Sequence, residues 1–406
     1  MESEFDEVID RQRTNSEKWA SPDLQREWGD GGDEVIQMWV ADMDFRAPAP
    51  VLDALQDAVR HGVFGYVFPS TGFVDSVVGW QGERHGWDVD PVWLLHTAGV
   101  VAGLSQIVRA FTSASDAVLI QPPVYGRFFK VPQANGRRVV CAPLREEDGC
   151  YGFDAVAFEH IIKRHRPRLF ILCHPHNPVG KVWSEADLRQ MGEICRRHEV
   201  LVVSDEIHQD FVFGQGKRHI PFASLGADFA RNSITCTAPS KTFNLAGLQV
   251  SNLFVPDPGL REQLARELDR NGNHGINSLG MVACEAAYRQ GAPWLDALLI
   301  YLRENHRRVS QALERIPGFR VFQSDALYLA WLDCRAQAML DDALDERLRR
   351  RARVHLDSGI KFGEEGRGFV RMNLGCPRSV LAQALERMGN AFGADPHPSF
   401  RQEQAL

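Results

Sequence analysis

The chain has 406 residues, with 46 Lys and Arg against 53 Asp and Glu, a net charge of −7, and 44% hydrophobic and 24% charged residues. This balance belongs to an ordinary soluble globular protein and disfavours a nucleic-acid role, and the length leaves room for two domains or one large α/β unit. The start MESEFDEVID is acidic and leads into no apolar core, and no run of about 18 apolar residues occurs, so the cytoplasm is the expected compartment.

The first element with a clear signature is TAGVVAGLSQIVRAF, a helix headed by the turn Ala98-Gly99-Val100-Val101. DAVLIQPP (Asp116 to Pro123), RLFILCHP (Arg168 to Pro175), EVLVVSDE (Glu199 to Glu206) and SITCTAPS (Ser233 to Ser240) then read as buried strands, each closed by proline or polar residues. Between the second and third lies SEADLRQMGEICRRHEV, which opens on Ser184 as N-cap with Asp187 three residues on, so a strand, helix, strand unit is predicted. Strands alternating with amphipathic segments are the α/β signature.

From about Trp294 the pattern changes to a long amphipathic helix, a strand in ALYLAWLD, a charged helix and GFVRMNLGCP. A large domain over 49–290 and a smaller α+β domain made of 1–48 and 291–406 are expected. The basic run ERLRRRARVH (Glu346 to His355) reads as a solvated helix face, and the tail GADPHPSFRQEQAL as frayed. The eight cysteines form no C-x-x-C pair and read as reduced and mostly buried, Cys173 and Cys236 as small core residues.

In an open parallel sheet the ligand lies beyond the carboxyl ends of the strands. Here those ends carry HPHNPVGKVW, SDEIHQD and SKTFNLAG, three independent polar segments at one edge. Lys241 follows a β-prone run and precedes a turn-rich, amide-bearing stretch, a poor place for a solvated lysine and a poor place for a core residue. His174, His176 and His208 bring imidazoles to the same edge, but no further ligands follow at metal spacing and no metal is assigned.

MWVADMDF, GYVFP, PPVYGRF, HPHNPVGKVW, SDEIHQD, APSKTFNLAGL and VRMNLGCPR together resemble, in order and spacing, the fold-type I pyridoxal-phosphate enzymes. The resemblance is strongest to the cystathionine β-lyase (MalY/PatB-type) branch of the class I/II aminotransferase family and covers nearly the whole chain. It implies a large domain with a mostly parallel seven-stranded sheet, a smaller α+β domain, pyridoxal 5′-phosphate as cofactor, and a homodimer with shared sites. Lys241 would bond the cofactor aldehyde and, with Tyr125, act in catalysis. Asp205, with Glu206 as the competing candidate, would keep the pyridine nitrogen protonated; Asn177 would donate to the phenolate oxygen; Tyr125 would stack on the ring. Gly99, Val100 and Val101 match the phosphate-binding turn, Ser240 and Gln249 would assist it, and Tyr66 resembles a tyrosine that reaches the phosphate of the neighbouring subunit. His208 stands where aspartate-type aminotransferases carry tyrosine. Arg371 resembles the carboxylate-binding arginine, an interdomain salt bridge being its alternative; Trp39, Val40, Ala41 and the surroundings of Leu327 are the expected substrate contacts.

Ala238 and Gln249 replace a hydroxyl and an arginine of the wider family, and His174 and Leu327 replace an asparagine and a threonine of the branch. The implied reaction is β-elimination from cystathionine or another S-substituted L-cysteine, giving pyruvate, ammonia and a thiol. Alternatives are an aminotransferase, a specialised cysteine-conjugate deaminating or decarboxylating enzyme, and, from another class, a protein that modulates transcription through a partner, as one family member does.

Overall fold

In the computed structural model, which describes residues 4–20, 34–147, 149–272 and 275–393, the apolar runs assemble into one sheet. Its strands are β1 (Leu94–Thr97), β2 (Ala117–Ile120), β3 (Arg138–Cys141), β4 (Leu169–Cys173), β5 (Leu201–Asp205), β6 (Ser233–Thr237) and β7 (Ser251–Phe254), in the order β1-β7-β6-β5-β4-β2-β3. Neighbours from β6 to β3 run parallel, and β7 runs antiparallel to both β1 and β6. All residues of β2, β4, β5 and β6 are buried, which is why they read as unbroken apolar runs rather than alternating ones: each face of a parallel sheet is covered.

Alternation along a strand divides the core in two. Ile171, Val203 and Ile234 face the helix Val100–Phe111 through Leu104 and Ile107. Phe170, Leu172 and Val202 face the opposite side and pack with Leu188 and Met191 of the helix Glu185–Arg197. That helix opens on the predicted capping box: the Asp187 N–H donates to Ser184 Oγ at 3.1 Å while the Asp187 carboxylate accepts from Ser184 N–H.

A second sheet, antiparallel, consists of β8 (Arg320–Val321), β9 (Leu329–Asp333), β10 (Asp357–Ser358) and β11 (Phe369–Asn373), in the order β8-β9-β11-β10. Its core gathers Leu332, Val370 and Met372 with Leu381, and with Ile36 and Met38 of the N-terminal segment. The N-terminal strand Ile36–Gln37 pairs in parallel with Val354–His355. The helix Ala292–Leu313 enters both regions: Trp294, Leu298 and Tyr301 pack with Phe5 and Phe45, whereas Val309 and Leu313 lie under the second sheet.

The basic run keeps a solvated face at Glu346, Arg350 and Arg351, as its charge predicts, but Arg347 does not belong to that face. Arg347–Arg351 forms a π-helical turn with Leu348 buried, and Arg347 lies 4.7 Å from the Phe392 ring while donating to the Ala391 carbonyl at 2.7 Å. Its aliphatic stem and fork thus cover the last helix rather than stand in water. Six of the eight free cysteines are buried, including Cys173 and Cys236, and Cys141 and Cys150 are exposed. Residues 394–406 of the tail lie outside the described residues.

Candidate active site

Register brings the ends of β4, β5 and β6 level, with Cys173 opposite Asp205 and Asp205 opposite Cys236. The three polar segments therefore converge at one edge of the sheet, and the N-terminal stretch Met38–Phe45 passes over them. Side chains from distant elements hold that stretch by its carbonyls. Lys241 Nζ donates to Ala41 O at 2.6 Å and Tyr328 Oη to the same oxygen at 2.9 Å. Arg371 donates to Trp39 O at 2.9 Å, and Asn244 to Met43 O and Phe45 O at 2.8 and 2.9 Å.

Lys241 lies in a one-turn helix, Pro239–Thr242, whose proline occupies the first position, where no backbone donor is needed. Its neighbour Thr242 is tied down by Asp210, which accepts from Thr242 Oγ1 at 2.6 Å, Trp80 Nε1 at 3.1 Å and His85 Nε2 at 2.9 Å. Burial lowers the Lys241 amine from 10.5 to about 8; Asp42 and Asp205 oppose that shift, and Arg371 adds to it. A sizeable neutral fraction near neutrality is what a nucleophilic amine requires.

Asp205 ends β5 and Glu206 follows it, and the two side chains take different partners. Glu206 is spent structurally: Oε1 accepts from Ser204 Oγ at 2.7 Å and Phe222 N at 2.9 Å, and Oε2 contacts His219 Nε2 at 2.7 Å. Asp205 accepts only the Ile207 N–H, at 3.2 Å, among the described residues. Burial raises its carboxyl to about 7. A buried carboxyl so short of donors is suited to a protonated nitrogen placed beside it, which would hold it ionised.

Asn177 accepts from Arg371 Nη1 at 3.1 Å through Oδ1, and its amide nitrogen donates to no described residue. Tyr125 is half-buried; burial raises its hydroxyl above 10.0, while the nearby Arg371 and Arg127 pull the other way. His208 is buried, its Nδ1 has no partner among the described residues, and burial lowers its imidazole well below 6.5. Arg371 is buried opposite Asp357 across β11 and β10, with Nη2 2.8 Å from Asp357 Oδ2. The ion pair lies within the second sheet, so it is not the interdomain salt bridge that stood as the alternative for Arg371.

Gly99 begins the helix Val100–Phe111 at φ 142°, a backbone angle that favours glycine, and no side chain caps that end. The first-turn N–H groups of Val100 and Val101 therefore have no side-chain acceptor among the described residues, the setting that suits an anion. Ser240 is half-buried and Gln249 exposed, and neither side chain hydrogen-bonds a described residue. Tyr66 stands wholly in solvent, at 111% of its reference exposure, so this chain does not bring it to its own site.

The remaining imidazoles diverge. His174 turns to Ile220 O at 3.1 Å and stacks on His219 at 4.3 Å, and His176 turns to Pro123 O at 3.0 Å. Leu327 holds φ 77° with its carbonyl accepting from His306 at 2.8 Å, and its side chain is buried. Sequence reasoning missed Asp210, Tyr328, Asp357 and Asp42. Asp210 closes the quoted SDEIHQD and Tyr328 lies in ALYLAWLD, so both stood within recognised motifs; nothing marked Asp357.

A half-buried lysine of lowered pKa, a donor-poor carboxyl, an amide with free N–H, an aromatic ring and an uncapped glycine-headed helix suit an aldehyde-bearing pyridine with a phosphate. They define a fold-type I pyridoxal-phosphate site. A family model described as aminotransferase class I and II matches residues 42–388, and the chain belongs to that family. It is 44% identical over 389 residues to cystathionine beta-lyase PatB of Bacillus subtilis (strain 168), covering 96% of this chain and 99% of that protein. Protein MalY of Escherichia coli (strain K12) is 33% identical over 397 residues, with coverage of 96% and 99%. Cystalysin from Treponema denticola, whose crystal structure contains pyridoxal 5′-phosphate, matches with a TM-score of 0.92 at 34% identity over 96% of this chain and 99% of that one. The cofactor of the present chain is pyridoxal 5′-phosphate.

Proposed function

We propose that the protein is a carbon–sulfur β-lyase that converts cystathionine or another S-substituted L-cysteine, with water, to pyruvate, ammonia and a thiol. The observation that carries this reading is the end-to-end 44% identity to cystathionine beta-lyase PatB, joined to a lysine whose amine is poised for proton transfer.

Lys241 would hold the cofactor aldehyde, Asp205 the pyridine nitrogen, Asn177 the phenolate oxygen and Tyr125 the ring face. The backbone of Gly99, Val100 and Val101, with Ser240 and Gln249, would hold the phosphate. Once bound, the cofactor supplies an electron sink that makes the substrate Cα proton removable and lets the β-substituent leave. Lys241 would take the Cα proton on Nζ, and the Ala41 carbonyl, 2.6 Å from that nitrogen, would steady the resulting ammonium. Arg371 binds the substrate carboxylate. Nη2 is committed to Asp357 and Trp39 O, so that carboxylate competes with Asp357 for the guanidinium, and Lys361, 2.9 Å from Asp357 Oδ1, takes up the displaced side chain. Trp39 and Ala41 form the substrate's near wall.

Pure holoenzyme given L-cystathionine and no keto acid tests this. Many equivalents of pyruvate and thiol per site are expected; one equivalent of keto acid, with the cofactor left as its amine, would make the protein an aminotransferase instead.

The working unit is read as a homodimer in which Tyr66 of the partner subunit completes the phosphate site. In support, Val63, Phe64, Tyr66 and Phe68 form an exposed apolar stretch, from 59% to 111% exposed. Light scattering should give twice the chain mass of 45.7 kDa, and a monomer would refute it. Residues 49–290 are taken as the cofactor-holding domain and 1–48 with 291–406 as the smaller one. A cytoplasmic location fits the free cysteines, and no helix among the described residues is long and apolar enough to cross a membrane.

A further inference from the structure

Beside Arg371 lies a cavity of about 610 Å³, lined by Trp39, Tyr125, Asp357 and Arg371 and by Arg127 and Lys130. Most of the charge on its wall is already paired. Asp357 holds Arg371 at 2.8 Å and Lys361 at 2.9 Å, and Glu364 holds Arg367 at 2.6 Å. Arg127 and Lys130 are exposed, and neither pairs with a described carboxylate.

Their placement works against the local electrostatics. They are three residues apart, hence on one face, in the first turn of the helix Arg127–Ala134, and that turn has no acidic residue. A helix N-terminus is its positive end, so two like charges are stacked on a third positive pole in a chain whose net charge is −7. Such a breach of a local rule at a cavity is relieved when an anion enters. Arg127 shares the cavity wall with Tyr125 and Arg371, which places it at the rim of the cofactor site.

On the β-lyase reading Arg371, beside Asn177, is the inner cation that takes the α-carboxylate, and the group on sulfur would extend into the cavity that Arg371 borders. We propose that Arg127 and Lys130 form a subsite for an anionic group, a carboxylate foremost, on the S-substituent of the substrate. This assignment rests on the β-lyase reading and narrows its substrate class to S-substituted cysteines with an acidic outer end.

The test uses holoenzyme and two substrates that differ in charge alone, S-(2-carboxyethyl)-L-cysteine and its amide S-(2-carbamoylethyl)-L-cysteine, with pyruvate as readout. The wild type should prefer the acid by about tenfold or more in kcat/KM, the scale of a charge-assisted hydrogen bond. Raising the salt to about 0.5 M should erode that preference, because the pair is solvent-exposed. Lys130→Gln and Arg127→Gln should each reduce the acid-to-amide ratio at least about threefold. Pyruvate from both substrates with a ratio near one, or a ratio untouched by both variants, would overturn the subsite and leave the lyase reading standing. Pyruvate from neither substrate would overturn both.

Discussion

The inner site and its mouth obey opposite electrostatic rules. Inside, the carboxylates divide by their donors among the described residues: Asp210 accepts three hydrogen bonds, Glu206 takes three contacts, and Asp205 is left short. At the mouth, Arg127 and Lys130 are exposed and unpaired among the described residues. The inner groups can shift pKa values and hold geometry because water is excluded; the outer ones can only select, and salt weakens them.

The largest expected break in that contrast comes from Lys241→Ala, which should cut pyruvate release by about 1,000-fold or more while leaving the cofactor bound without a covalent link. Retained turnover would remove Lys241 from the chemistry. Next, Asp205→Asn should lower kcat by about 100-fold, whereas Glu206→Gln, one residue along and with different partners, should act on folding, costing about 2 kcal/mol in urea unfolding. Equal kinetic effects of the two would contradict the division of labour read from their partners.

Asp210→Ala strips the anchor from Thr242 and leaves Trp80 and His85 without their acceptor, at an expected cost of about 3 kcal/mol and with faster loss of cofactor on dialysis. The apoprotein offers a pH test. Lys241 is depressed to about 8, so its neutral amine accumulates as pH rises through 8, and the rate of cofactor capture should climb with that midpoint. A climb centred near the ordinary value of 10.5 would mean that burial does not act on this amine. At the small end, Lys130→Gln at the mouth should change urea stability by less than about 0.5 kcal/mol.

How much of this the sequence discloses depends on the range of the interaction. The buried strands, the Ser184 capping box and the lysine after β6 are local patterns, readable because a parallel sheet needs continuous apolar runs and puts its chemistry at their ends. Choosing Asp205 over Glu206 from residues alone required family resemblance; the structure gives the physical reason in the Ser204, Phe222 and His219 contacts. Asp357 carried no mark, and Asp210, though inside SDEIHQD, gave no sign of its role, because their partners Arg371 and Trp80 lie 14 and 130 residues away and no local period links them. Arg347 misled for the converse reason: a basic run looks solvated until the Phe392 ring is known to lie beneath it.

The central claim is that the strand ends assemble a cofactor site around Lys241. Reduction of the holoenzyme with borohydride, followed by peptide mapping by mass spectrometry, tests it most directly. The pyridoxyl mass is expected on the peptide containing Lys241 and nowhere else; the same mass on Lys181 or Lys361, or on no lysine, would contradict the account.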